Sequence, residues 1–157
     1  MFFTSISPED TENLGEYIGN VVKKGYVICL TGDLGVGKTE FVKGLARGLK
    51  VMDYITSPTF IIVNQYEGRI PLYHFDVYRI ENVSEMDEIG YEEYFYGDGV
   101  CVIEWANLIE DIIPKENIGV HISKDIEMGE NFRNISIETK GDMYDSLIRE
   151  MIEKCEF

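Results

Sequence analysis

Gly32-Asp33-Leu34-Gly35-Val36-Gly37-Lys38-Thr39 fits the phosphate-binding pattern G-x-x-x-x-G-K-[ST] at each fixed position. The residues on either side strengthen the match. Residues 26–30, Tyr-Val-Ile-Cys-Leu, form a short apolar, β-branched run that reads as a buried strand. Beyond the loop, Phe41, Val42, Leu45, Ala46 and Leu49 fall on one helical face, and Glu40, Lys43, Arg47 and Lys50 on the other. Strand, glycine loop and helix then follow in the order a phosphate site requires. The glycines let successive backbone N–H groups curl round an anion without Cβ clashes, and the helix start adds free donors and its positive dipole end. Such a loop sets Lys38 against the outer phosphates of a nucleotide and the Thr39 hydroxyl on Mg²⁺.

Residues 99–105, Gly-Val-Cys-Val-Ile-Glu-Trp, are the second informative stretch. An unbroken apolar run predicts a strand buried on both faces, as in a parallel sheet. Ligands gather at the carboxyl ends of such strands, and Glu104 stands at that end. An acid there can hold the Mg²⁺ that bridges phosphates, with glutamate in place of the commoner aspartate. Trp105, the sole tryptophan, packs either beside the metal site, against a partner, or in the core. The fold expected is α/β, of the P-loop NTPase kind: a mostly parallel central sheet with an antiparallel hairpin, and helices on both faces.

The hairpin comes from residues 60–66 and 70–78, two strand-like runs joined by Glu67-Gly68-Arg69. Period-2 alternation in the second run puts Tyr73, Phe75 and Val77 on one face and His74, Asp76 and Tyr78 on the other. His74 and Asp76 therefore point the same way: Asp76 either at a wet site, where a carboxylate orients water or reaches Mg²⁺ through water, or at a solvated hairpin face, and His74 either at that wet site or into the ordinary hydrogen bond common for a strand histidine. Arg79 either neutralises phosphate charge, touches a partner, or forms an ordinary salt bridge. The segment Thr56-Ser57-Pro58-Thr59 reads equally as a hydroxyl-rich loop over phosphates or as a turn before a strand.

The remaining elements are plainer. Residues 2–6 suit a short strand. Ser7-Pro8-Glu9-Asp10 starts a helix, with Ser7 as N-cap and Leu14, Ile18, Val21 and Val22 inward. Residues 81–96 read as two short helices divided at Gly90. A short helix ends at Ile112-Ile113-Pro114. Two strands, 118–123 and 132–138, flank an acidic loop, and Arg133 in the second lies either by the nucleotide base or exposed. A terminal helix over 143–157 turns Leu147, Ile148 and Met151 inward, and it either docks or frays.

The 157 residues suit one domain spanning 1–157, in which the part after about 140 is a loosely docked helix. No 18-residue apolar run exists, and Met1-Phe2-Phe3-Thr4-Ser5 lacks a basic, signal-like start, so the expected compartment is the cytoplasm. Cys29, Cys101 and Cys155 show no metal-ligand spacing and read as small buried hydrophobes. Residues 1–50 carry six Lys/Arg and six Asp/Glu, so the net charge of −15 belongs to residues 51–157. So acidic a surface repels phosphate backbones and argues against tight nucleic-acid binding by this chain alone. It either confers solubility or steers a basic partner.

The ordered set formed by the 32–39 loop, Ser57-Pro58-Thr59-Phe60, His74-Phe75-Asp76-Val77-Tyr78-Arg79 and Ile103-Glu104-Trp105 resembles the bacterial TsaE (YjeE) family. The resemblance implies an ATPase needed to form threonylcarbamoyladenosine (t6A) in tRNA. It would work with the partner proteins TsaD and TsaB and meet tRNA only through that complex. Carried over by position, the amides of Asp33, Leu34, Gly35, Val36 and Gly37 hold phosphates together with Lys38. Thr39 and Glu104 hold Mg²⁺, Asp76 supports hydrolysis from a switch-like segment, and Thr11 approaches the adenine. Lys38, Asp76 and Glu104 form the expected catalytic set, and Thr11 and Arg133 extend the cofactor-binding set towards the base. Two rivals stand beside this reading. A small kinase would need an arginine-rich lid, and a GTP switch would need an N-K-x-D element, which the sequence lacks. The residues alone give a P-loop nucleotide hydrolase with the base unassigned; ATP, the tRNA role and the partners come from the resemblance.

Overall fold

The computed structural model describes residues 1–58 and 62–154. Seven strands form one sheet: β1 (Phe2–Ser5), β2 (Val27–Thr31), β3 (Val63–Tyr66), β4 (Leu72–Asp76), β5 (Val100–Glu104), β6 (Asn117–Lys124) and β7 (Arg133–Lys140). Their order across the sheet is β1-β7-β6-β2-β5-β4-β3. The four central strands β6, β2, β5 and β4 run parallel, and antiparallel pairs close both sides, β3 on β4 and β7 with β1 beyond β6. Every residue of β5 is buried, as its unbroken apolar run predicts for a strand covered on both faces. The expected α/β architecture with its antiparallel hairpin is the one observed.

Among the described residues five α-helices cover the sheet: α1 (Pro8–Val21), α2 (Lys38–Gly48), α3 (Ser84–Glu88), α4 (Tyr91–Phe95) and α5 (Asp145–Lys154). One apolar cluster joins α1, α2 and α5 to one face through Ile18, Phe41, Leu45, Leu147 and Met151. The second packs Met86 of α3, Phe95 of α4 and Ile109 of a 3-10 helix (Ala106–Ile112) against Val27, Phe75 and Ile103 on the other face. Gly90 separates α3 from α4, as its position in the sequence suggests. The terminal helix buries Leu147 and Met151, and Tyr17 donates its hydroxyl hydrogen to the Glu150 carbonyl at 3.0 Å. The residues expected at its far end, 155–157 with Cys155, lie outside the described residues, as do Thr59 and Phe60.

Local chemistry fixes the helix ends nearest the loop. Ser7 Oγ accepts from the Asp10 amide at 3.2 Å with Pro8 at the first helical position, a cap worth about 1 kcal/mol. At the other end of α1, Arg69 Nη2 donates to the carbonyls of Gly19 at 2.6 Å and Val22 at 2.8 Å, supplying a cation where the helix leaves carbonyls unpaired.

The contact between α1 and α2 is made of backbone. A Cβ placed on Gly15, Gly19, Gly44 or Gly48 would run into a carbonyl oxygen of the facing helix, the one at Gly44 into that of Glu12. In each helix the two glycines are four residues apart, so each pair forms one ridge, and the ridges meet with no side chain between them. On the exposed flank Arg47 bonds Glu16 at 2.8 Å and Glu12 at 3.1 Å, but pairs so open to solvent contribute little. The close approach makes a prediction. Gly44→Val should lower stability by about 3 kcal/mol, since neither backbone can yield. A urea melt with an unchanged midpoint would show that the helices separate freely.

Candidate functional site

The parallel strands β2, β4 and β5 end on one edge of the sheet, with Leu30 and Asp76 both in register with Glu104. The glycine loop leaves β2 at that edge and enters α2 at Lys38. Gly35 and Gly37 hold φ of 74° and 113°, a region that a Cβ penalises, which is why glycine stands at these two turns.

Lys38 is 4% exposed. Its Nζ donates to the carbonyls of Gly32 at 2.7 Å and Asp33 at 2.9 Å and lies 4.2 Å from the centroid of the Trp105 ring. Burial pulls its pKa below the ordinary lysine value, while the carboxylates of Glu104, Asp76 and Asp33 pull the other way. Trp105 also packs against Tyr78 with ring centroids 4.8 Å apart, and its backbone φ is 63°. The indole thus flanks the lysine while also packing against the second apolar cluster.

Thr39, next in α2, donates from Oγ1 to Glu104 Oε1 at 3.3 Å and lies 3.1 Å from Ser57 Oγ. The proline-bounded segment therefore brings a hydroxyl to the start of α2. Asp76 accepts from the Tyr78 amide at 3.0 Å. Its pKa is raised, first by burial and then by the neighbouring Glu104 charge, against the lowering pull of that amide. Lys38, Thr39, Asp76 and Glu104 are thus brought together at the carboxyl edge.

Thr11 and Arg133 meet on the other side of the loop. A cleft of about 110 Å³ is lined by Pro8 and Thr11 of α1, Gly35, Val36 and Gly37 of the loop, and Asn131 and Arg133. Arg133 Nε donates to the Val36 carbonyl at 2.8 Å, so this side chain braces the loop as well as lining the cleft. Thr11 is 2% exposed and shares a hydrogen bond of 2.9 Å with Ser5; its place in the cleft wall is fixed by that bond. Leu34 is 71% exposed, so its side chain faces outward. Arg79 is exposed and pairs with no carboxylate among the described residues.

Of the two readings of His74, the structure bears out the hydrogen-bonded strand histidine: it is fully buried rather than facing a wet site, on the sheet face of the larger apolar cluster with Leu72, and its Nε2 lies 2.6 Å from Glu104 Oε2. Alternation along β4 identifies the face but not what covers it. The His74–Glu104 contact was hidden because it needs β4 beside β5, a neighbour relation that spacing along the chain does not encode.

The parallel sheet, the glycine loop between β2 and α2, and the acid at the end of β5 define a P-loop α/β protein. A family model described as Threonylcarbamoyl adenosine biosynthesis protein TsaE matches residues 5–134. The chain belongs to the TsaE family. A Bacillus subtilis (strain 168) protein named tRNA threonylcarbamoyladenosine biosynthesis protein TsaE is 42% identical over 148 residues, which cover 94% of this chain and 90% of that one. A protein of the same name from Treponema pallidum (strain Nichols) is 43% identical over 118 residues, 75% of this chain and 87% of that one. Among solved structures, a crystal structure of YdiB from Bacillus subtilis superposes with a TM-score of 0.81 at 38% identity, covering 98% of this chain and 94% of that chain. No helix among the described residues is long and apolar enough to cross a membrane.

Proposed function

We propose that this chain is a Mg²⁺-dependent ATPase that serves t6A formation in tRNA together with TsaD and TsaB, in the cytoplasm, meeting tRNA only through that complex. The observation that carries the reading is the convergence of Lys38, Thr39 and Glu104 at the end of the parallel strands. The pathway is supported by the family and by the names its members bear; the partners rest on the resemblance alone.

The residues present fit magnesium. Thr39 and Glu104 offer a hydroxyl and a carboxylate, hard oxygen donors of the kind Mg²⁺ takes. Among the described residues no three His, Cys, Asp or Glu side chains are grouped to hold a metal, so water and phosphate oxygens must complete the shell, as they usually do for Mg²⁺. When bound, the ion neutralises charge that builds on the transferring phosphate. The amides of Asp33, Leu34, Gly35 and Gly37 would supply the phosphate donors, whereas the Val36 N–H donates to the Asp33 carbonyl at 3.2 Å, and Lys38 has a third ammonium hydrogen beyond the two held by carbonyls. Asp76 stands in register beside Glu104, placed to orient the attacking water, and its raised pKa brings it closer to a proton-accepting role. Thr11 and Arg133 form the wall on the side where the base would lie.

Thr39→Ala and Glu104→Ala should each weaken Mg²⁺-dependent nucleotide binding by about tenfold or more, while binding without Mg²⁺ changes little. Calorimetric titration with ATP, with and without Mg²⁺, measures this directly. Mg²⁺ responses like wild type in both variants would remove the metal role from these residues.

A further inference from the structure

We propose that His74 is a positioning residue that sets the Glu104 carboxylate in the orientation Mg²⁺ requires, through its Nε2–H and without touching nucleotide or metal. The proposal rests on the metal role given to Glu104 above. Both side chains are buried, His74 at 0% and Glu104 at 3% exposure, and Nε2 stands 2.6 Å from Oε2. The other imidazole nitrogen, Nδ1, is buried and has no hydrogen-bond partner among the described residues.

That asymmetry identifies the tautomer. A hydrogen on Nδ1 would be an unpaired buried donor, which is costly, and it would set the bare Nε2 lone pair against a carboxylate oxygen. With the hydrogen on Nε2, the ring donates to Oε2 and Nδ1 keeps only a lone pair. The second carboxylate oxygen, Oε1, then faces Thr39, whose hydroxyl donates to it at 3.3 Å. Glu104 is thus held at one oxygen from within the sheet and presents the other to the start of α2. A glutamate has three side-chain torsions to order, and a hydrogen bond made from a buried ring removes that cost before any ligand arrives. The strand register supports the arrangement: Asp76 lies beside Glu104 on β4, and His74, two residues earlier, rises on the same face.

The test compares His74→Gln, His74→Asn and His74→Leu by the Mg²⁺ dependence of binding a fluorescent ATP analogue. The Gln amide nitrogen reaches the place of Nε2, whereas the Asn amide ends near Nδ1. His74→Leu and His74→Asn should lower apparent Mg²⁺ affinity by roughly 10- to 100-fold. His74→Gln should retain most of it, and analogue binding without Mg²⁺ should hold steady in all three. In a Glu104→Ala background, His74→Leu should add no further loss. Wild-type Mg²⁺ affinity in His74→Leu, equal losses in the Gln and Asn variants, or an added loss in the Glu104→Ala background would each overturn the proposal. Should His74→Leu fail to fold, the Gln and Asn pair decides. A wild-type chain whose binding ignores Mg²⁺ would instead overturn the metal role of Glu104 itself.

Discussion

TsaD and TsaB together should raise ATP turnover by this chain by about 10³-fold or more, the scale on which phosphoryl-transfer sites gain when a cation is supplied from outside. The reason lies in where the arginines are. Arg47 bonds acids of α1, Arg69 caps the same helix, and Arg133 donates to the carbonyls of Val36, Glu130 and Phe132. Arg149 is exposed on the terminal helix, and Arg79 is exposed on the segment after β4. Only Arg133 is held against the glycine loop, and its guanidinium is engaged by the Val36, Glu130 and Phe132 carbonyls, so on the proposed reading charge on a transferring phosphate lacks a committed arginine among the described residues. Steady-state hydrolysis by the chain alone, then with each partner and with both, gives the answer. Rapid turnover in isolation, indifferent to the partners, would contradict the expectation.

Lys38→Ala should reduce hydrolysis in the partner-stimulated complex by about 10²- to 10³-fold, the loss that follows removal of one preorganised donor to developing charge. The proposed role of the ammonium draws on its being already in place. It is buried at the first residue of α2, pinned by two loop carbonyls and flanked by an indole. Keeping a lysine there costs desolvation, as its lowered pKa records, and nothing in the packing of the core requires a charge at that point. Circular dichroism should show the fold retained. Single-turnover hydrolysis within tenfold of wild type would mean that the loop amides and metal suffice without it.

Much of this was legible because short-range signals agreed with one another. The glycine loop lay between a buried-strand pattern and an amphipathic helix, and residues 99–105 could only be a strand covered on both faces. Two fixed points, Lys38 with Thr39 and Glu104, then stood at the same edge of any parallel sheet. What stayed hidden depended on neighbours in space. A hydrogen-bonded strand histidine at position 74 is readable from the sequence, but its partner, Glu104, follows only from the adjacency of β4 and β5. Gly15, Gly19, Gly44 and Gly48 carry no apolar side chain, so hydrophobic stripes do not reveal the backbone-to-backbone contact of α1 with α2. Arg133 was marked as a residue near the base or exposed, and its bond to the Val36 carbonyl needed the loop's path to be known.

That glycine contact divides the molecule's mechanical behaviour. α1 lines one side of the cleft beside the glycine loop and α2 grows out of that loop, and with their backbones touching there is no compressible layer for one to slide on the other. On the proposed reading, base and phosphates would be gripped by a single stiff block. A change in the nucleotide would then have to be passed on elsewhere, through the ends of β4 and β5 and the Tyr78–Trp105 stack that follows them.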